Sequence, residues 1–268
     1  MRSNLLERSV SDVLSAALDA ASSELLVVDP GPETIEALVE SLDDDSTVRL
    51  LCDMQVLKDV LGDFIVASRA ADHVEDGRLE IYTTEGSSNT VFLTEDAVVA
   101  VVRGDDCVAG LTTKDEEFVE SVHIRLERKL EYTDSFTLRT PSRERVLKTL
   151  ESTLGSEAAS DFEAVLSSLD SARGGDELDE VTISLLVAAR NEALLYDVSK
   201  WGEDVRIASK ATFSRTKTQL EEAGIIDTEK VPIDVGRPRL RLKLPANSTL
   251  RDADPVDLAA VAESKLES

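Results

Sequence analysis

Near residue 140 the hydrophobic rhythm of the chain changes, and no other feature constrains the fold as much. Before that point short, β-branched apolar runs alternate with helical stretches. Glu24 to Val28 reads as a strand, Glu33 to Leu42 as a helix and Val48 to Cys52 as a second strand. A longer helix is expected from Leu57 to Ala71, then strands at Leu79 to Tyr82, Thr90 to Leu93, Ala97 to Val102 and Asp106 to Leu111. Thr94-Glu95-Asp96 and Gly104-Asp105 supply turn chemistry between the later strands. Phe118, Val122, Leu126 and Leu130 recur at helical spacing, so Asp115 to Tyr132 should be an amphipathic helix. Strands alternating with helices in this way predict one α/β domain over residues 1–139.

Beyond Pro141 the pattern turns helical. Arg143 to Leu154 and Ala158 to Leu169 are expected as helices of a connector spanning residues 140–172, and the run Ser171 to Gly175 reads as the domain boundary. Residues 173–251 carry the pattern of a winged helix-turn-helix, and 252–268 read as an accessory acidic tail. A chain of 268 residues with 42% hydrophobic content can fill two such cores. The predicted fold class is therefore α/β plus winged helix.

Within the second half, Leu178 to Asn191 is a helix with apolar residues along one side. Leu194 to Trp201 is a second helix, and Gly202 to Ala208 an irregular turn. Ser209 is placed as N-cap of a third helix, Lys210 to Ala223, with Gly224 as its left-handed terminator. Ile226 to Val231 and Pro238 to Leu244 then flank Asp234-Val235-Gly236, a hairpin signal that would form the wing. On the third helix Phe213, Thr216, Leu220 and Ala223 are assigned to the packed side, and Lys210, Ala211, Ser214, Arg215, Lys217 and Thr218 to the opposite side. Cations for phosphates and short polar groups for base edges are what a major-groove helix requires. On the wing strand Arg237, Arg239, Arg241 and Lys243 alternate with Pro238, Leu240, Leu242 and Leu244, which predicts one cationic face.

Charge sharpens this reading. The chain holds 54 acidic and 29 basic residues, a formal net charge of -25. Yet Arg206 to Gln219 contains four basic residues and no acid, and Val235 to Arg251 contains five and no acid. Two acid-free basic stretches on a recognition helix and its wing point to a phosphate-binding surface made of Arg206, Ser209, Lys210, Ala211, Ser214, Arg215, Lys217, Thr218, Arg237, Arg239, Arg241 and Lys243. The acidic remainder has two readings: a surface adapted to molar salt, or a protein whose partner is basic.

The run Ile207 to Ile226, with its Leu220-Glu221-Glu222-Ala223-Gly224 ending followed by two isoleucines, is similar to the recognition helix of prokaryotic winged-helix regulators. Taken whole, the chain resembles the haloarchaeal TbsP-type transcription regulators, related in layout to the TrmB sugar-responsive regulators. The resemblance implies binding to double-stranded promoter DNA, a phospholipase-D-like front domain and a link to carbon metabolism. TrmB proteins place the winged helix first, whereas here it comes last, so sugar sensing does not carry over.

Other chemistries find little footing. A phospholipase-D-like site needs histidine followed two residues later by lysine, but His73 is followed by Val74-Glu75 and His123 by Ile124-Arg125. There is no phosphate loop, dinucleotide turn or zinc motif, and Cys52 and Cys107 lack metal-ligand spacing. No catalytic residue, metal or cofactor is expected, and with no apolar run of membrane-spanning length the protein is expected in the cytoplasm. Asp29, Asp53, Thr83 and Thr84 fall at the C-terminal ends of predicted strands, where a small-molecule effector would bind in an open α/β sheet; ordinary turn chemistry is the competing explanation. Regulators of this size read two half-sites as symmetric dimers, so a homodimer is expected. The alternatives are a winged-helix interaction module without a DNA target and a degenerate phospholipase-D-like enzyme.

Overall fold

The computed structural model describes residues 5–21, 24–44, 46–84, 89–171, 178–234 and 236–266. The chain divides into two compact units, Met1–Leu138 and Arg139–Ser268.

The first unit is an α/β layer structure. Strands β1 (Leu5–Glu7), β2 (Leu25–Val28), β3 (Val48–Asp53), β4 (Leu79–Thr84), β5 (Val91–Leu93), β6 (Val98–Arg103) and β7 (Val108–Thr113) form one sheet in the order β1-β7-β6-β5-β2-β3-β4. β2, β3 and β4 are parallel; the remaining pairings are antiparallel. The Leu-Leu-Val-Val run of β2 is buried at every position, because a central strand covered on both faces needs apolar side chains in both directions. Leu25 and Val27 enter the core beneath helices α1 (Val10–Ala20), α2 (Pro32–Ser41), α3 (Met54–Val60) and α4 (Phe64–Glu75), and Leu26 and Val28 enter the core beneath α5 (Glu116–Glu131). Arg49 of β3 ties the second face together: its guanidinium donates to Glu127 of α5 at 2.5 and 3.0 Å and to Glu24 at 2.6 Å.

Three local expectations change. The stretch Leu57 to Ala71 is two helices rather than one, broken at Leu61–Asp63, where Asp63 caps α4 by accepting from the amides of Ile65 and Val66. On α5 the packed row is Val119, Leu126 and Leu130, while Phe118 lies half exposed. Strand β1 has only three residues, too short for alternation to announce it; it pairs with β7, where Gly110 lets α1 approach so closely that a Cβ would sit 2.9 Å from Val13.

The second unit holds helices α6 (Arg143–Leu154), α7 (Ser156–Ser171), α8 (Glu180–Arg190), α9 (Leu195–Val205) and α10 (Lys210–Glu222), the hairpin β8 (Asp227–Val231) and β9 (Arg239–Lys243), and α11 (Leu258–Leu266). α8 is buried from Val181 through Ala189, so its apolar character is not one-sided as its sequence suggests; α7, α9, α10 and β9 surround it. The helices expected as a connector are part of this core. Phe162 of α7 is fully buried with its ring edge-on to Trp201 of α9, at 6.1 Å between centroids and 81° between planes, and the Trp201 indole donates to Thr149 Oγ1 of α6 at 3.0 Å. The tail is likewise built in: Leu258, Ala259 and Ala262 of α11 are buried, and Lys265 donates to Ser248 at 2.9 Å. Most of the expected boundary run lies outside the described residues, which resume at Leu178. No helix among the described residues is long and apolar enough to cross a membrane.

Candidate nucleic-acid interface

The site is organised around the crossing of α9 and α10. α9 runs on to Val205, four residues past the expected end, and includes Gly202. Glycine is needed there for contact rather than for backbone freedom, since a Cβ at 202 would lie 2.3 Å from the ring of Phe213. The α9 to α10 turn is thereby compressed to Arg206–Ser209, and Arg206 takes the left-handed conformation at φ 71°. Ser209 caps α10 as expected, its hydroxyl accepting from the Thr212 amide at 3.1 Å, and Gly224 ends the helix region at φ 67°.

Phe213 and Leu220 seat α10 on the core, leaving Lys210, Ala211, Ser214, Arg215 and Thr218 exposed. Lys217 departs from its assignment. Four residues after Phe213 and three before Leu220, it shares their side of the helix. It is only 9% exposed and donates to Glu221 at 2.7 Å, and Glu221 also accepts from Thr228 of β8 at 2.6 Å. Those two hydrogen bonds, the Lys217 one first, hold the Glu221 carboxyl below its usual range. Glu221 thus joins α10 to the hairpin, and Lys217 holds its carboxylate from the same helix. Ala223, assigned to the packed side, is exposed.

The hairpin is anchored on both edges of β9. β8 pairs with it antiparallel, and on the far side Leu194 bridges to Arg241 while the Leu242 amide donates to Ala193 O at 2.9 Å. Leu242 and Leu244 are buried, in keeping with the alternation. The opposite row is not the freely exposed cationic face that alternation implies. Arg239, Arg241 and Lys243 are half-buried. The Arg239 guanidinium lies 4.3 Å over the Tyr196 ring and 3.8 Å from the Asp197 carboxylate. Lys243 is paired with Glu229 of β8. On α10, Lys210 is paired with Glu203 of α9 at 2.9 Å, and this contact depresses the Glu203 pKa and raises that of Lys210. Glu229 is depressed in the same way by Lys243. Arg206, Arg215 and Arg237 are exposed and form no ion pair among the described residues. Gly236 turns the hairpin loop at φ 115°, next to Val235, which lies outside the described residues.

Sequence reasoning missed Tyr196, Asp197, Glu203 and Glu229, all of which face the basic strips. Glu229 had a signal, since the hairpin register sets it opposite Arg241 and one diagonal step from Lys243. Asp197 and Glu203 had none, because the first depends on the packing of α9 against β9 and the second on the α9 to α10 crossing.

Asp29, Asp53, Thr83 and Thr84 do share one end of the first unit's sheet, where Asp53 is the register partner of Thr84. Three of them also serve the local fold. Asp53 caps α3 by accepting from the Gln55 amide at 2.7 Å, Thr83 donates from its amide and hydroxyl to Asp134 O, and the Asp29 carbonyl accepts from Thr90.

Two family models match the chain, "Transcriptional regulator TbsP-like, N-terminal" over residues 2–141 and "Transcriptional regulator TbsP-like, C-terminal HTH domain" over residues 142–263. No curated protein matches it. Among solved structures one match is TrmBL2, described as an archaeal chromatin protein with a novel mode of DNA binding, at 16% identity and a TM-score of 0.39. The alignment covers 51% of this chain and 55% of that one, so the chain spans about half the length of that protein.

Proposed function

The chain belongs to the TbsP-like transcriptional regulators, and on that premise we propose that its second unit binds duplex promoter DNA with α10 in the major groove and the β8–β9 hairpin against the backbone. One observation carries the reading: from its start to Thr218 the solvent side of α10 offers Lys210, Ala211, Ser214, Arg215 and Thr218, with no acid until Glu222 in the last turn, and Arg206 and Arg237 are exposed as well. Short side chains at 211, 214 and 218 let the helix approach base edges, and Arg215 can form the bidentate contact by which guanidinium groups recognise guanine. Arg206 and Arg237 serve phosphates and set the register. Lys217 does not belong to this set, because it is committed to Glu221.

The function is promoter-specific regulation by a homodimer, each copy reading one half-site, since one recognition helix spans only a few base pairs. The net charge of -25 supports a surface adapted to high salt, as in a haloarchaeon, and the family resemblance supports a target set in carbon metabolism. The first unit is read as the effector-responsive and pairing part, with Asp29, Asp53, Thr83 and Thr84 at the sheet end as the place for a small-molecule effector.

The test is chromatin immunoprecipitation of the tagged full chain beside its Arg215→Ala/Arg237→Ala variant. Discrete promoter peaks are expected for the first and their loss for the second, because an arginine contact to a base costs about 1–3 kcal/mol when removed. Equal occupancy by both proteins would overturn the assignment, and an absence of peaks for either would favour a protein-interaction module.

A further inference from the structure

We propose that Glu203 and Glu229 are built-in competitors of DNA phosphate, each holding a lysine of the nucleic-acid face in the free protein so that this lysine must exchange a carboxylate for a phosphate on binding. The inference rests on the DNA-binding reading above. Both basic strips are free of acids along the sequence, yet in three dimensions acids arrive from outside them: Glu203 from α9 onto Lys210 at 2.9 Å, and Glu229 from β8 onto Lys243. Neither pair is a packing device. The side chains are 45% and 46% exposed in the first and 36% and 53% in the second, a setting in which an ion pair adds little to stability. Glu221 differs, being bound to a buried lysine and to Thr228. The cations of the two strips therefore differ: Lys210 and Lys243 are held by exposed carboxylates, Arg239 lies over Tyr196 and 3.8 Å from Asp197, and Arg206, Arg215 and Arg237 are exposed and with no ion pair among the described residues.

The held lysines and the exposed arginines make different demands on salt. An arginine that meets a phosphate displaces a condensed counterion from the DNA, and raising salt opposes that release. A lysine that leaves Glu203 or Glu229 displaces a counterion too, but the freed carboxylate then gathers one, and the two nearly cancel. With Arg215 turned to a base, Arg206 and Arg237 set the salt dependence, with a slope of log K against log salt of about -1.8 per bound chain if each meets one phosphate. Were the lysines free from the start, the slope would be about -3.6. A protein so arranged binds less tightly at low salt and loses less affinity as salt rises.

The test compares the full chain with Glu203→Gln/Glu229→Gln, measuring fluorescence anisotropy of a labelled short duplex as KCl is raised. A control variant, Glu36→Gln/Glu117→Gln, removes the same two charges at exposed positions of the first unit. The double variant should bind about 3- to 10-fold tighter at the lowest salt. Its slope should be steeper by about 1.8. The control should match the unmodified chain, and thermal melts of all three should coincide. An unchanged affinity and slope in the double variant, or an equal change in the control, overturns the proposal. If Arg215→Ala/Arg237→Ala abolishes binding while Glu203→Gln/Glu229→Gln leaves it unchanged, this inference alone falls. If the unmodified chain does not bind the duplex, the DNA reading falls and this one with it.

Discussion

At the scale of single residues, position decides what a charge does. Lys217 and Lys210 are both lysines of one acid-free stretch, but Lys217 lies between Phe213 and Leu220 on the packed side of α10 and Lys210 lies on its first turn in solvent. The first becomes the buried partner of Glu221, whose carboxylate reaches Thr228 of β8, and the second a surface cation. Arg206 shows a conflict between fold and function at one position. Its left-handed backbone at φ 71° is a conformation that costs an ordinary residue about 1–2 kcal/mol relative to glycine. Retaining arginine there is understandable if the guanidinium is used. Arg206→Gly should therefore leave the second unit as stable or stabilise it by up to about 1 kcal/mol while weakening DNA binding and flattening its salt slope by about 0.9. Urea titration and anisotropy of the same preparation check both halves, and a loss of stability together with unchanged binding would contradict them.

Elements were legible where a local pattern governs them. The cap at Ser209, the left-handed Gly224 and the inward Leu242 and Leu244 are set by residues within a turn or two of each other, and each lies where the local pattern puts it; Leu240 is only half-buried. The end of α9 was not legible, because Gly202 looks like a breaker when only its neighbours are considered. Its role comes from Phe213, eleven residues later, whose ring occupies the space a Cβ would need. Gly202→Ala should accordingly destabilise the second unit by about 1–3 kcal/mol by overpacking, although alanine is the better helix former. A thermal melt will show it. Midpoints equal to or above that of the unmodified chain would mean that the α9 to α10 contact is looser than the geometry implies.

For the whole molecule, the boundary between units falls at 138/139 rather than at the Ser171 to Gly175 run. Phe162 and Thr149 make the difference, since the ring and the hydroxyl that complete the surroundings of Trp201 come from α7 and α6. A fragment of residues 139–268 should fold cooperatively and retain α10 and the hairpin in working order. One that begins at residue 178 should not, because it exposes Trp201 and one side of α8. Circular dichroism melts of the two fragments decide this, and a cooperative transition in the shorter one would return α6 and α7 to the status of a connector.

The sequence by itself determined the succession of elements, the α/β character of the first unit, the helix–turn–helix and hairpin of the second and the two basic strips, because hydrophobic period, caps and turns act between near neighbours. The side of α10 that Lys217 takes also follows from its spacing to Phe213 and Leu220; only the tertiary structure decided where α9 ends, which unit owns α6, α7 and α11, and which cations stand free. Those outcomes depend on side chains from distant segments meeting within a few ångströms. Carboxylates are so abundant in this chain that no linear pattern indicates which of them will close on Lys210; the crossing of α9 with α10 makes that choice, whereas the hairpin register already sets Glu229 near Lys243.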